Sequence, residues 1–566
     1  MFKEAVVKLL AKATMLKKEE LEKLIEQPIQ SELGDYAFPC FTLAKQMKKS
    51  PQKIAEEISK KIKKTKEIKD IKANGPYLNF YINDDILIKL TLRDIFYGKP
   101  FKKGKEKRKI LIEYNSPNTN KPLHLGHLRN MMIGSAVSNI LMSKGNTVIQ
   151  VNMNNDRGIH ICKSMLAYKK YGKKDSPKKS DMKPDHFVGK YYVMFNEKVK
   201  QNPKLNDEAR KLLLKWEAHD KETRTLWKKM NEWAYEGFNQ TYKTLGIRFD
   251  KHYYESSYYT QGKDIIRLAL SKGLLYRDDD GNIVAPLKKY NLPDKIVLRA
   301  DGTAVYATQD LALAEIKFRN FSPDLSIYVV ASEQNLYFRQ LFAIFDLLNL
   351  SFASKCYHLS YGMVYLPEGK MKSREGTVVD ADDLIEEIIN LAKTEIQLRH
   401  KNLGNSETEK RAKIIGLAAL RFYMLKIDPA RDITFDPKES ISFDGETGPY
   451  LQYVYARISS ILRKYGKKPS SAVMFKLLKR PEEIKMIKLL QKYSDIVDDA
   501  SIHYRPSIIA HYLLNLGQAF NEFYHYCPVI SDDKMLTKAR ILLVYCVQQT
   551  VKNGLALLGI DVLEEM

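Results

Sequence analysis

The sequence predicts a multidomain fold that joins α/β to all-α architecture. A parallel-sheet domain with a helical insertion is preceded by a small α/β unit and followed by a helix bundle. Three observations predict it. Strand, helix and strand patterns follow one another between residues 110 and 153. From about residue 384 every long segment has helical periodicity. A basic run, KPFKKGKEKRK (99–109), reads as a linker or an anion-facing arm between the first 100 residues and the rest. With 566 residues and 44% hydrophobic side chains, the chain can build several cores.

Taken in order, residues 1–100 carry helical patterns around QPIQSELGDYAFPC and KKSPQKIAEEISKKIKK, and a strand-like YLNFYIN after Gly75-Pro76. Residues 101–385 form the α/β domain. ILIEY (110–114) is a continuous apolar run, the mark of a strand buried on both faces. LRNMMIGSAVSNILMSKGN has helical period and closes on Gly145, and TVIQVNM (147–153) is the next strand. Two strands joined by a helix call for a parallel pair. Residues about 165–290 are lysine-rich and helical in pattern, and read as an insertion. KIVLRA (295–300) and LSIYVVAS (325–332) read as a return to parallel strands. Residues 386–566 form the bundle, with segments such as GPYLQYVYARISSILRKYG and IIAHYLLNLGQAFNEFYHYC.

Lys plus Arg number 93 against 68 Asp plus Glu, a formal charge of +25. Such an excess points to a polyanionic partner, most often nucleic acid, although a lysine-rich surface also serves solubility alone. The five cysteines are scattered and form no CxxC pair, so neither a disulfide framework nor a zinc site is expected. The amphipathic start, MFKEAVVKLLAKATMLKKEE, has no signal-peptide core, and no window is apolar enough to span a bilayer. The expectation is a cytoplasmic protein with no membrane partner.

Chemistry concentrates in NSPNTNKPLHLGHLRNMMIG (115–134). A buried strand ends, a loop follows, and a helix begins near Leu125. In doubly wound sheets ligands sit beyond the carboxyl ends of the strands, and a helix N-terminus favours phosphate. His124 and His127 add donors there, Gly126 allows close approach to the backbone, and Lys121 stands three residues before the first histidine. A surface, capping or metal-binding pair is the alternative. A second constellation, LPEGKMKSREGTVV (366–379), offers Lys370, Lys372 and Arg374 to a pyrophosphate, or is simply a solvated charged loop.

Together the H-x-G-H tetrad and KMKSR resemble the two signatures of class I aminoacyl-tRNA synthetases. EYNSPNTNKPLHLGHLRN, LRADGTAVYATQDLA (298–312), ITFDPKESISFDGETGPYLQYVYARI (433–458), GDYAF (34–38) and the closing GLALLGIDVLEEM resemble, more narrowly, the arginyl-tRNA synthetase family over nearly the whole chain. The resemblance implies a Rossmann-like catalytic domain, an N-terminal tRNA-contacting domain and a C-terminal anticodon-binding bundle. It implies an enzyme that activates L-arginine with ATP and Mg²⁺ and transfers it to the 2′-hydroxyl of the terminal adenosine of its arginine-accepting tRNAs, acting as a monomer.

By the same resemblance, His124, His127, Lys121 and Lys370 are catalytic. His124, Gly126, His127, Lys370, Met371 and Lys372 hold ATP, and no protein side chain ligates a metal. Glu113, Asn118, Tyr306, Asp310 and Gln334 form the arginine pocket, two carboxylates matching a forked guanidinium. Tyr450, Tyr453 and Arg457, on one helical face by spacing, face tRNA. The bland alternatives are a surface acid for Glu113, a helix cap for Asp310, and core packing for Tyr306 and the three bundle residues. Three positions depart from the family pattern: Lys372-Ser373 displaces a signature lysine, Gln309 stands where arginine is common, and Tyr337 where histidine is common. A synthetase for another amino acid, a small nucleotidyltransferase and a non-enzymatic tRNA-binding relative are the rival readings.

Overall fold

Several short apolar runs become strands of this chain, among them those ending at Glu113 and Ala331. The computed structural model describes residues 2–28, 31–99, 104, 107–367 and 379–566. Two units divide them: Met1–Phe101 with Arg457–Ser494 and Asn515–Val551, and Lys102–Ala456 with Asp495–Leu514 and Lys552–Met566.

The first unit begins with helices α1 (Phe2–Ala13) and α2 (Lys18–Leu24). Strand β1 (Tyr36–Pro39) leads to α3 (Phe41–Met47) and α4 (Pro51–Lys61). Ser50 caps α4, its Oγ accepting from the Lys53 amide, and Pro51 takes the first helical position, where its missing N–H costs nothing. β2 (Ile68–Asn74) and β3 (Tyr77–Ile82) form an antiparallel hairpin turning at Gly75, whose φ of 56° suits glycine. The sheet order is β1-β3-β2, and α5 (Asp84–Phe96) follows, capped by the Asn83 side chain.

The second unit is built on five parallel strands in the order β11-β10-β4-β5-β6. Their ranges are β4 Lys109–Glu113, β5 Thr147–Asn154, β6 Lys251–Tyr254, β10 Leu325–Ala331 and β11 Cys356–Tyr361. The chain runs outward from β4 through β5 to β6, then returns to the other side of β4. The topological switch point therefore lies between β4 and β10. Helix α6 (Leu125–Ser143) joins β4 to β5 and is buried along most of its length. Its Gly134 lets it pack onto β4's neighbour Tyr114, since a Cβ there would meet the ring at 2.4 Å. Arg129, 0% exposed, donates to the carbonyls of Gly362 (2.6 Å), Met363 (3.0 Å), Pro429 (3.3 Å) and Arg431 (2.7 Å). One buried guanidinium thus pins two distant chain segments to the helix that follows the first strand.

The segment expected as an insertion carries α7 (Ile159–Ala167), α8 (Pro184–Gln201), α9 (Leu205–Glu217), α10 (Lys221–Thr244) and α11 (Gln261–Ser271). Two expectations need correction. Strand β6 lies inside the supposed insertion yet pairs with β5 in the main sheet. KIVLRA does not rejoin that sheet. It forms β9 (Lys295–Leu298), antiparallel to β8 (Ile283–Ala285), which pairs in turn with β7 (Tyr276–Arg277). Its apolar side chains Val297 and Leu298 pack with α12 (Tyr306–Phe321) and α13 (Asn335–Leu347) in a separate core cluster, which satisfies the same hydrophobic run in another place.

Past β11, β12 (Val364–Tyr365) pairs with β13 (Ile433–Thr434), and the α-helices among the described residues are α14 (Ala381–Arg399), α15 (Asn405–Lys426), α16 (Pro437–Ser440), α17 (Gly448–Tyr465), α18 (Pro481–His503), α19 (Pro506–Tyr526) and α20 (Lys534–Leu557). No described helix is long and apolar enough to cross a membrane.

Candidate active site

At the switch point the carboxyl ends of β4 and β10 open into a cavity of about 440 Å³. Glu113 ends β4 and faces Tyr328 of β10 in register. The loop after Tyr114 is held by a local network. The Asn115 amide donates to Asn130 Oδ1 (2.6 Å), and Asn130 Nδ2 donates to the Val329 carbonyl (2.7 Å). Asn115 itself sits at φ 61°, a conformation asparagine tolerates.

His124 is the N-cap of α6. Its Nδ1 accepts from the Gly126 amide (3.2 Å), and the Nδ1 of His127 accepts from the His124 amide (3.1 Å). Burial, with Lys121 nearby, lowers the His124 pKa to about 4. Burial also drives His127 well down, with His124 and Lys121 adding to the effect. Both rings are therefore neutral at physiological pH. With Nδ1 an acceptor in each, the proton of each sits on Nε2, and each ring keeps one donor. Gly126 has a local reason too: a Cβ there would lie 3.1 Å from the His124 ring.

The strand of chain after the second constellation returns to this point. The Leu125 amide donates to the Val379 carbonyl and the Ala381 amide to the Leu123 carbonyl, both at 3.0 Å. Lys370, Met371, Lys372, Ser373 and Arg374 lie outside the described residues.

On the far wall, Asp310 lies one turn inside α12, whose N-cap is Val305, so it is no helix cap. Tyr337 of α13 donates a short hydrogen bond to Asp310 Oδ2. Burial raises the Asp310 pKa to about 6, opposed by that hydrogen bond and by Lys317 and reinforced by Glu113. Glu113 is 7% exposed, not a surface acid, and accepts from Lys317 Nζ at 2.8 Å. Tyr306 is 77% exposed and belongs to no core.

The cavity thus brings together Glu113, His124, Gly126, His127, Tyr306, Asp310 and Gln334. It does not bring in Asn118 or Lys121. Asn118 is exposed, and only its backbone bridges Asn155, which does line the cavity. Lys121 is exposed, its Nζ 5.2 Å from the Tyr192 ring centroid of α8. Of the bundle residues, Tyr450 is buried at 9% exposure, while Tyr453 and Arg457 are half-buried. Arg457 Nη1 donates to Asn521 at 3.3 Å.

Sequence reading missed Lys317, Tyr337 as a partner of Asp310, and Glu255. Glu255 is 8% exposed, accepts from Gln309 Nε2 (2.7 Å), and is raised to about 7 by burial, with Arg157 opposing. The only available signal was negative: Gln309 and Tyr337 are two of the positions that depart from the family pattern, and each bonds an acid, the buried Glu255 and the half-buried Asp310.

Comparison with known proteins agrees with this geometry. The profile "tRNA synthetases class I (R), catalytic domain" matches residues 92–436, the "Arginyl tRNA synthetase N terminal domain" residues 1–82, and the "DALR anticodon binding domain" residues 451–566. An arginine–tRNA ligase of Treponema denticola is 43% identical over 561 residues, covering 96% of this chain and 94% of its own. That of Bacteroides thetaiotaomicron is 41% identical over 574 residues, covering 96% of each. The arginyl-tRNA synthetase of Thermus thermophilus superposes with a TM-score of 0.84 at 27% identity, covering 100% of both chains. An N-terminal domain, a Rossmann-like catalytic domain and a helical anticodon-binding domain follow one another along the chain, which belongs to the class I arginyl-tRNA synthetase family.

Proposed function

We propose that this ligase joins L-arginine to its tRNA in the cavity between β4 and β10. The arginine carboxylate attacks the α-phosphorus of ATP, a P–O bond forms, and pyrophosphate leaves. The 2′-hydroxyl of the terminal adenosine then attacks the carbonyl carbon of the adenylate, and AMP leaves. The observation that carries the reading is that one cavity is lined by two neutral histidine donors and by two carboxylates, Glu113 buried and Asp310 half-buried.

His124 and His127 offer Nε2–H donors to the phosphate oxygens as negative charge builds. A fixed neutral donor costs no reorganisation at that moment. Asp310, its orientation set by Tyr337, takes the guanidinium, with Glu113, Tyr306 and Gln334 completing the pocket. Lys121 at the rim and Lys370 in the second signature hold the outer phosphates. Tyr453 and Arg457 have surface left for tRNA, which Tyr450 lacks.

Magnesium accompanies ATP in such chemistry, but the cavity's donor set does not fit a protein-held ion. Glu113 is paired with Lys317, Asp310 accepts from Tyr337, and imidazole suits magnesium poorly. Among the described residues the one cluster of metal-ligand type, Asp185, His186 and Asp382, already has the Lys183 ammonium at 3.0 and 2.7 Å. The ion would ride on phosphate oxygens.

Charging of tRNA ending in 2′-deoxyadenosine or 3′-deoxyadenosine tests the transfer step. The 3′-deoxy form is charged and the 2′-deoxy form is not. The reverse pattern refutes the assignment.

A further inference from the structure

The cavity that should receive a cationic side chain already contains a cation. Lys317 is 1% exposed, and its ammonium is 2.8 Å from Glu113 Oε2 and 4.0 Å from the centre of the Tyr328 ring. It lies two helical turns beyond Asp310 on α12, so both side chains leave the same helix face. A buried ion pair is weak evidence of stabilisation, because desolvation opposes the Coulombic gain. Its place in a substrate cavity calls for another reason.

Charge supplies one. A guanidinium carries a single positive charge. Two open carboxylates would give the empty pocket a charge of −2, and like charges in one site drive one of them to hold a proton. A protonated acid cannot pair with a guanidinium. We propose that Lys317 is a built-in counter-cation that sets the specificity of the arginine pocket: it satisfies Glu113 and leaves the half-buried Asp310, inside the exposed Glu333, as the inner cavity carboxylate without an ion pair among the described residues. This rests on the reading that the cavity takes arginine. Asp310 makes no ion pair among the described residues. The titratable groups that face it are Lys317 on its own helix, Glu113, Tyr328, Tyr337, Tyr258 and Glu255. Lys317 is the cation of that set, and Lys295 of β9 adds a second positive charge 5.4 Å from the centre of the Tyr337 ring. With Glu113 occupied by the protein's own ammonium, a substrate lysine finds the site suited to its point charge already filled.

Three variants test the role by steady-state aminoacylation with the full chain and its tRNA. Lys317→Met keeps the length and removes the charge. It raises the arginine KM, and the acid limb of the KM profile moves to higher pH, because Lys317 is one of the groups that lower the Asp310 pKa. The ATP KM stays unchanged. Lys317→Arg keeps the charge and leaves the limb in place. Where loss of the pair weakens folding, Lys317→Ala provides the second reading: n-propylammonium, which replaces the atoms removed, restores arginine turnover, and n-propanol does not. An unshifted acid limb in Lys317→Met, or equal rescue by the alcohol, overturns the proposal and makes Lys317 a space-filler. The parallel Asp310→Asn variant separates the two claims. If it too leaves the arginine KM unchanged, the cavity does not take arginine, and both readings fall.

Discussion

Asp310→Asn is the sharpest single perturbation of the pocket. The substitution preserves shape, and the amide oxygen can still accept from Tyr337, which donates to Asp310 Oδ2. The other carboxylate oxygen becomes an NH₂ group, a donor set against the donors of a guanidinium. What is lost is one charge-assisted hydrogen bond, worth about 1.5–3 kcal/mol. At 1.4 kcal/mol per decade this raises the arginine KM by about tenfold to about 150-fold. Asp310 is only half-buried, so solvent screening places the effect toward the lower end of that range. The ATP KM does not move, because the histidines proposed to meet the phosphates stand on α6 and Asp310 on α12. The wild-type pH profile supplies an internal check. Asp310 has a pKa raised to about 6, so it is ionised above that value and gains a proton below it. Arginine KM is therefore flat above about pH 7 and rises as pH falls through about 6, whereas Asp310→Asn loses that limb. Steady-state kinetics at saturating ATP and tRNA across pH 5.5–8 measure both. A variant with normal arginine KM, or one that keeps the acid limb, refutes the role of Asp310.

Other substitutions test the remaining parts. His127→Ala removes a donor that matters most as charge develops, so the aminoacylation rate falls by about 10²–10³-fold while arginine affinity holds; near-normal turnover contradicts the role. Lys121→Ala slows adenylate formation and spares transfer from preformed adenylate, as rapid-quench single turnovers would show; equal damage to both steps contradicts a phosphate role. Arg129→Met strips the donor from four carbonyls, two of them buried. It lowers stability by at least ~1–3 kcal/mol, seen as a lower urea midpoint, and an unchanged midpoint shows that water replaces the guanidinium.

Much of the site was legible because it is local in sequence. The apolar run ILIEY, the asparagine- and proline-rich loop and the glycine-bounded helix place His124 and His127 at a strand-to-helix junction without any long-range information. Asp310 and Glu113 were legible only through family resemblance, since nothing in their neighbours says that they share a cavity. Lys317 was invisible: its partner lies 204 residues away, and in α12 it reads as one more surface lysine. Tyr337 registered as an odd residue, and its use appears only when α13 is packed against α12. The fold shows the same division. β6, KHYY, is short, lies at the sheet edge and has no apolar run to announce it. β9 does have such a run, yet periodicity cannot tell which sheet will bury it.

On this account one half-buried carboxylate, Asp310, beside an acid neutralised by Lys317, selects arginine for attachment to tRNA. The most direct measurement is charging of the cognate tRNA with each of the twenty amino acids under identical conditions, with citrulline as a neutral isostere. The account predicts charging with arginine and rejection of lysine and citrulline by roughly 10⁴–10⁵ in kcat/KM. Comparable charging with lysine or citrulline, or with any amino acid in place of arginine, would contradict it.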